Sequence, residues 1–360
     1  MKETSVINAA QVSPSVSILI SSEKTYPQYK TNEKKLQYLL EGVKEELSAE
    51  FPQKKVEIIT KKLEGLIASI KHQDLSKSIV LYASPEKEKL FYLPFPVKER
   101  VIIDSSFEIR DLIYAVKNSI EYWILLINGK LPKLYFGHNS LLTRTETESF
   151  PPDIENKKRD YPSKVANFSD DSAIKEIILD NYLKEVDRAL TVELAKTKAP
   201  VFICGAPKLI GHFKALTKNA SYIKNYIEGN YEHFSKEEIY KLVEPSIEGE
   251  RKAEQRKALE ILETATDKKE FTAGIGNVWR AAKERKGRLL LVEKDYTCAA
   301  KIGKDEYTLV SENFDTNDPG ILKDAVDDII ELVLKSDGDI AFVDNGKLKD
   351  YNKIALVTYY

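Results

Sequence analysis

The chain has 360 residues, 42% of them hydrophobic and 31% charged, with a formal charge of −2 at pH 7. That length suits two or three domains of ordinary soluble composition, and the near-zero charge excludes a global pull toward nucleic acid or anionic membrane, leaving any such binding to local patches. Its two cysteines, Cys204 and Cys298, lie far apart and exclude a disulfide scaffold, while no segment approaches the roughly 20 apolar residues of a membrane span, so a cytoplasmic location without membrane contact is expected.

In chain order, "VSILI" (Val16 to Ile20) predicts a strand rich in β-branched residues. From Asn32 to Glu50, Leu36, Leu39, Leu40, Val43 and Leu47 recur at helical spacing and form one apolar stripe. "KVEIIT" then predicts a second strand and "KKLEGLIASIKHQ" another helix. "SKSIVLYASP" is a buried strand ended by Pro85, and "KLFYLPFPVKERVIID" gives two short extended runs broken by prolines. A helix from Ile109 to Asn118 closes a first mixed α/β domain, residues 1–118.

"EYWILLINGKLPKLYFG" carries a hairpin signature, two apolar strands around an Asn-Gly turn. A polar excursion, 144–171, follows, with three prolines and no glycine. A loop of that length inside a compact chain is either functional or disordered. The longest helical pattern runs from Ala173 to Lys196, and "APVFICGAP" reads as a central strand buried on both faces. The helix "LIGHFKALTKN" and the strand "YIKNYIEGN" complete a second domain, residues 119–245. The third, 246–360, opens on a charged helix from Ile247 to Thr266. "GIGNVWRAAKERKGRLLLVEKDY" then predicts helix and strand, Ile321 to Lys335 a helix, and "GDIAFVDNG" with "KIALVTYY" a closing strand pair. No internal repeat is present.

Chemistry is sparse. Gly274-Ile-Gly276 lacks the third glycine of a dinucleotide loop, where Trp279 stands, and follows a charged helix rather than a strand. No phosphate loop of the Gly-x-x-x-x-Gly-Lys type occurs. His72, His138, His212 and His233 share no metal-ligand spacing, and no serine or cysteine sits in a nucleophile motif. The acids of "DNYLKEVDRA" and "AVDDIIE" are expected on solvated helix faces. No cofactor, metal or small-molecule substrate is expected, and no catalytic group is assigned.

Three basic clusters remain. Lys157, Lys158 and Arg159 lie in the polar excursion, outside any predicted element, where an exposed basic tip can meet RNA phosphates. Arg251, Lys252, Arg256 and Lys257 alternate with glutamates along a helix and suit a salt-bridged surface. Arg280, Lys283, Arg285, Lys286 and Arg288 surround a helix C-terminus, which favours cations through its dipole alone.

Laid out in this order, the three blocks resemble the bacterial members of the archaeal–eukaryotic class 1 release factor superfamily. These are relatives of eukaryotic peptide-chain release factor one, of Pelota and of the hibernation factor Balon. "YWILLINGKLPKLYFG" resembles the first hairpin of the superfamily's middle domain and "APVFICGAP" its central strand. "GNVWRAAKERKGRLLLV" resembles a helix–strand unit of an L30e-like C-terminal domain, and "GDIAFVDNGKLKDYNKIALVTYY" its final hairpin, with Thr358 where many relatives carry arginine. The departures are equally specific. Release factors carry Gly-Gly-Gln on the loop after that hairpin, whereas here no glycine occurs between Gly137 and Gly205, and Gly-Gly-Gln and Asn-Ile-Lys-Ser occur nowhere.

The resemblance implies a non-catalytic, ribosome-associated factor that occupies the A site in hibernation, stress or rescue. The partners it implies are ribosomal RNA, ribosomal proteins and a translational GTPase. RNA contacts are expected from Arg144, Lys157, Lys158, Arg159, Tyr161, Arg280, Lys283, Arg285 and Lys286, with Tyr161 placed to stack on a base. Two alternatives stand beside this reading: an interaction scaffold that no longer binds ribosomes, and a peptidyl-tRNA hydrolase with a rewired loop.

Overall fold

The computed structural model describes residues 14–22, 29–70, 77–128, 131–146, 171–310 and 321–359. The fold is mixed α/β, with eight α-helices and four sheets among the described residues. It divides into two compact units, one formed by 1–118 with 254–360, the other by 119–253.

In the discontinuous unit, β1 (Ser15–Ser21) lies between β2 (Ser78–Ala83) and β4 (Arg100–Asp104), with β3 (Glu88–Leu93) outside β2, all antiparallel. Alternation along these strands gives two apolar faces. Val16, Ile18, Ile20, Ile79 and Leu81 pack under α1 (Tyr29–Glu50) and α2 (Gln53–Ala68) through Leu36, Val43, Leu47, Ile59 and Leu63. Leu19, Val80 and Tyr82, on the other face, share a core with Val278, Leu290, Ile330 and Leu356 of the last segment. The first sheet therefore has no solvated face, and its burial needs residues more than two hundred positions away.

"KVEIIT" is helical, against the strand expectation. It lies in α2, where Val56, Ile59, Thr60 and Leu63 are buried at three- and four-residue spacing. Local β-propensity gave way to one apolar stripe facing the sheet. The short helix α3 (Arg110–Lys117) lies close to the expected bounds.

In the continuous unit, β5 (Glu121–Ile127) and β6 (Lys133–His138) pair antiparallel as the hairpin signature predicts, and β7 (Leu141–Thr145) extends the meander. β8 (Val201–Gly205) runs parallel to β5, and β9 (Ile223–Glu228) parallel to β8, in the order β7-β6-β5-β8-β9. Strands β5 and β8 are buried on both faces. Trp123, Leu125 and Ile203 meet Leu183, Val186 and Leu190 of α4 (Asp171–Lys196) and Phe213 of α5 (Pro207–Leu216). Tyr122, Ile124, Phe202 and Cys204 meet Ile239, Val243 and Ile247 of α6 (Lys236–Lys268).

Helix α6 begins eleven positions before the expected Ile247 and carries Pro245 inside it. Its start is a capping box: Ser235 N–H donates to Glu238 Oε2 at 2.8 Å, and Glu238 N–H to Ser235 Oγ at 3.2 Å. That box outweighs the breaker signal of the proline, which removes one backbone donor.

The closing strands are not a hairpin. β15 (Asp339–Val343) and β16 (Ile354–Thr358) lie on opposite sides of β11 (Gly287–Glu293), the first parallel to it and the second antiparallel, and β10 (Phe271–Ala273) adds outside β16. Helices α7 (Ile275–Lys283) and α8 (Ala325–Lys335) pack beside this sheet. The expected helix start at Ile321 moves to Ala325, because Ile321–Leu322 forms β14 against β12 (Ala300–Ile302), whose other edge carries β13 (Leu309–Val310).

Candidate nucleic-acid interface

Arg280, Lys283, Arg285 and Lys286 come together at the C-terminal end of α7. The amphipathic sequence of that helix buries Val278, Trp279, Ala281 and Ala282, which leaves Arg280 exposed. Lys283 Nζ lies 5.0 Å from the Trp279 ring centroid and 3.9 Å from Glu306. Trp279 is fixed in turn by its ring N–H, which donates to the Glu306 carbonyl at 2.9 Å. Arg285 holds a left-handed φ of 56° in the turn that ends the helix, and Lys286 pairs with Glu284 at 2.7 Å. The group combines the helix C-terminal dipole with cations on a rigid platform, and two of its four cations are partly neutralised by glutamates.

Arg144 stands on β7, exposed, in register with Tyr135 of β6. It belongs to the continuous unit, whereas the α7 group belongs to the other. Lys157, Lys158, Arg159 and Tyr161 lie outside the described residues. On α6, Arg251 pairs with Glu248 and Lys257 with Glu254 at 2.7 Å, the i,i+3 ladder expected of a salt-bridged face.

Among the described residues no group of three or more His, Cys, Asp or Glu is arranged to hold a metal ion, and no helix is long and apolar enough to cross a membrane. His212 Nδ1 lies 2.9 Å from Asp180 Oδ1. Burial pushes the Cys204 thiol up to about 12, which leaves it protonated and unreactive at neutral pH.

Residues 121–286 match the family model described as bacterial archaeo-eukaryotic release factor family 3. That segment, a little under half of the chain, is thus similar to the bacterial archaeo-eukaryotic release factors. The match takes in the hairpin, the two-faced strand β8, all of α6 and the α7 cations. No curated protein matches. Among solved structures, an archaeal translation termination factor, aRF1, is 13% identical over 99% of this chain and 96% of its own, with a TM-score of 0.24. Archaeoglobus fulgidus Pelota is 15% identical over 79% of each chain, with a TM-score of 0.39. S. cerevisiae Dom34 is 12% identical over 76% of this chain and 73% of its own, with a TM-score of 0.37.

Two polar networks depart from the expectation of solvated acidic faces. In "DNYLKEVDRA", Asp187 is buried. Its carboxylate accepts from Thr217 Oγ1 at 2.6 Å, Asn219 Nδ2 at 2.9 Å and the Lys218 N–H at 2.9 Å, tying α4 to the loop before β9. Asp187→Ala strands these donors and is expected to cost about 1–3 kcal/mol, read from the urea midpoint of the full chain.

In "AVDDIIE", Asp327 is buried and Asp328 half-buried, again against expectation. Asp327 Oδ1 accepts from the N–H groups of Ile109 and Arg110 at 2.9 and 2.7 Å, the second across 217 positions, and so serves as a carboxylate cap on the N-terminus of α3. Asp324 caps α8, with Oδ1 accepting from the N–H groups of Val326 and Cys298 while Oδ2 meets Arg110 at 3.0 Å. The Arg110 and Asp324 side chains are only 5% and 9% exposed. Arg110 also donates to the carbonyls of Glu293 and Lys294. Alongside, Arg100 bridges Asp111 at 2.6 Å and Glu108 at 3.3 Å. The one sequence signal was the Asp-rich start of α8; the partners of those acids are set by tertiary contact alone.

Proposed function

We propose that this protein is a ribosome-associated factor that occupies the A site without hydrolysing peptidyl-tRNA, in hibernation, stress or rescue. The match of residues 121–286 to the release factor family carries this reading. The missing Gly-Gly-Gln speaks against hydrolysis: those glycines allow backbone geometry closed to other residues, and no glycine stands between Gly137 and Gly205. The division of labour follows three segments, 1–118, 119–245 and an L30e-like 246–360. The middle segment reaches ribosomal RNA through Arg144, Lys157, Lys158, Arg159 and Tyr161. The last offers Arg280, Lys283, Arg285 and Lys286 to RNA or to a ribosomal protein, and a translational GTPase is its further partner in the cytoplasm.

Cosedimentation with 70S ribosomes from stationary-phase cells tests this. Binding should weaken steeply as salt rises, because phosphate contacts release counterions. A chain with Arg280, Lys283, Arg285 and Lys286 all replaced by alanine should bind more weakly and with a shallower salt dependence. No labelled peptide should be released from a stalled complex. Absence of the chain from every ribosomal fraction would sink the reading, and binding indifferent to salt would favour a protein scaffold instead.

A further inference from the structure

The junction between the first and last segments of the discontinuous unit is short of positive charge. Arg100 meets Glu108 and Asp111 and Arg110 meets Asp324, while Asp327 accepts from backbone N–H groups and the neighbours of Asp328 are acids. Five carboxylates thus stand beside two guanidiniums in a largely buried site. The two sides come from different segments. Arg100, Glu108, Arg110 and Asp111 lie at β4 and the start of α3, while the three aspartates lie at the start of α8. Buried carboxylates in excess of their cationic partners hold protons rather than charge.

We propose that this junction is a proton-operated latch, which closes the first segment on the last with uptake of protons and loosens as those protons are released toward neutral pH.

Each group's surroundings support the assignment. Burial pushes Glu108 up to about 7, with Arg100 opposing and Asp324 and Asp111 adding to the rise. The Tyr82 hydroxyl, itself raised by burial, donates to the Glu108 carbonyl. Burial also pushes Asp328 up to about 7, and its other main neighbours, Asp104, Glu331, Asp324 and Glu108, are all acids. Asp327 is raised by burial and then by Glu108 and Asp324, against the backbone N–H groups it accepts from. Asp324 is raised by burial and held back by Arg110; beside Asp327 and Asp328, Tyr296 and Cys298 of the last segment also lie near it. The sign is fixed by these directions. Carboxyls raised in the closed state bind protons that the open state releases, so closure is favoured fully below the usual carboxylate range and is lost as pH rises through about 7.

Amide hydrogen exchange on the full chain, corrected for intrinsic rates, tests the latch between about pH 5 and 9. Protection of α3 and α8 should fall by up to roughly tenfold per pH unit for each proton released as pH rises from about 5 to about 7, and the contributions of Glu108 and Asp328 should flatten above that. Amides of β8, in the other unit, should show no such slope. The double variant Glu108→Gln, Asp328→Asn should lose most of it. Should that variant not fold, Asp328→Asn alone, at a half-buried position, should lessen it. Equal slopes in both units, no slope in the wild type, or an unchanged slope in the variants would each overturn the proposal.

Discussion

Arg110→Ala is expected to destabilise the discontinuous unit by about 3–5 kcal/mol, because removing one partner of a buried pair leaves the other charge uncompensated. The side chain is 5% exposed, meets Asp324 at 3.0 Å and donates to two carbonyls of the last segment. Its loss leaves Asp324 facing Glu108, Asp327 and Asp328 without its nearest cation. The chain's two tryptophans separate the effect. Trp279 reports this unit and Trp123 the other. Urea unfolding in a Trp123→Phe background should show the Trp279 transition shifted, while the Trp123 transition in the converse background stays in place. A loss below about 1 kcal/mol would mean that the apolar core alone holds the two segments together.

The second large effect belongs to the other unit. Phe202→Ala is expected to cost about 3–5 kcal/mol, the range for deleting a buried aromatic from a packed core. Phe202 is fully buried on β8, edge-to-face with Tyr122 at 5.8 Å between centroids, on the face covered by α6. Here the Trp123 transition should move and that of Trp279 should not. Ribosome cosedimentation of this variant below its melting temperature should match the wild type, which separates loss of stability from loss of contact residues.

What could be read locally was read correctly where periodicity and turn chemistry agreed. The Asn128-Gly129 signal placed β5 and β6, and the long stripe ending at Leu194 placed α4 within two residues of its start. Errors came where a distant partner decides. Val56, Ile58, Ile59 and Thr60 are β-branched, yet the stripe continues to Leu63, and the sheet above it selects the helix. β15 and β16 are close in sequence, but both pair with β11 instead of each other. The acids of α4 and α8 could not be told from solvated ones, because nothing near Asp187 or Asp327 in sequence announces Asn219 or the N-terminus of α3. Of the site, the α7 cations were legible as a cluster, since one helix end gathers them. Lys286 meets Glu284 within the same turn, whereas the pairing of Lys283 with Glu306 comes from chain that folds back beside that helix.

The order in which the chain is made gives strand β16 a further meaning. It sits inside its sheet, between β10 and β11, although its residues, 354–358, are among the last described. The first sheet, made some three hundred positions earlier, buries one face on that same last segment. During synthesis the unit of residues 119–253 has its whole core at hand well before then. The stretch that comes second in sequence is thus the first able to finish folding, and Leu19, Val80 and Tyr82 wait with an open apolar face for the residues that cover it. A nascent chain halted near residue 300 should hold a protease-resistant middle and a cleavable start.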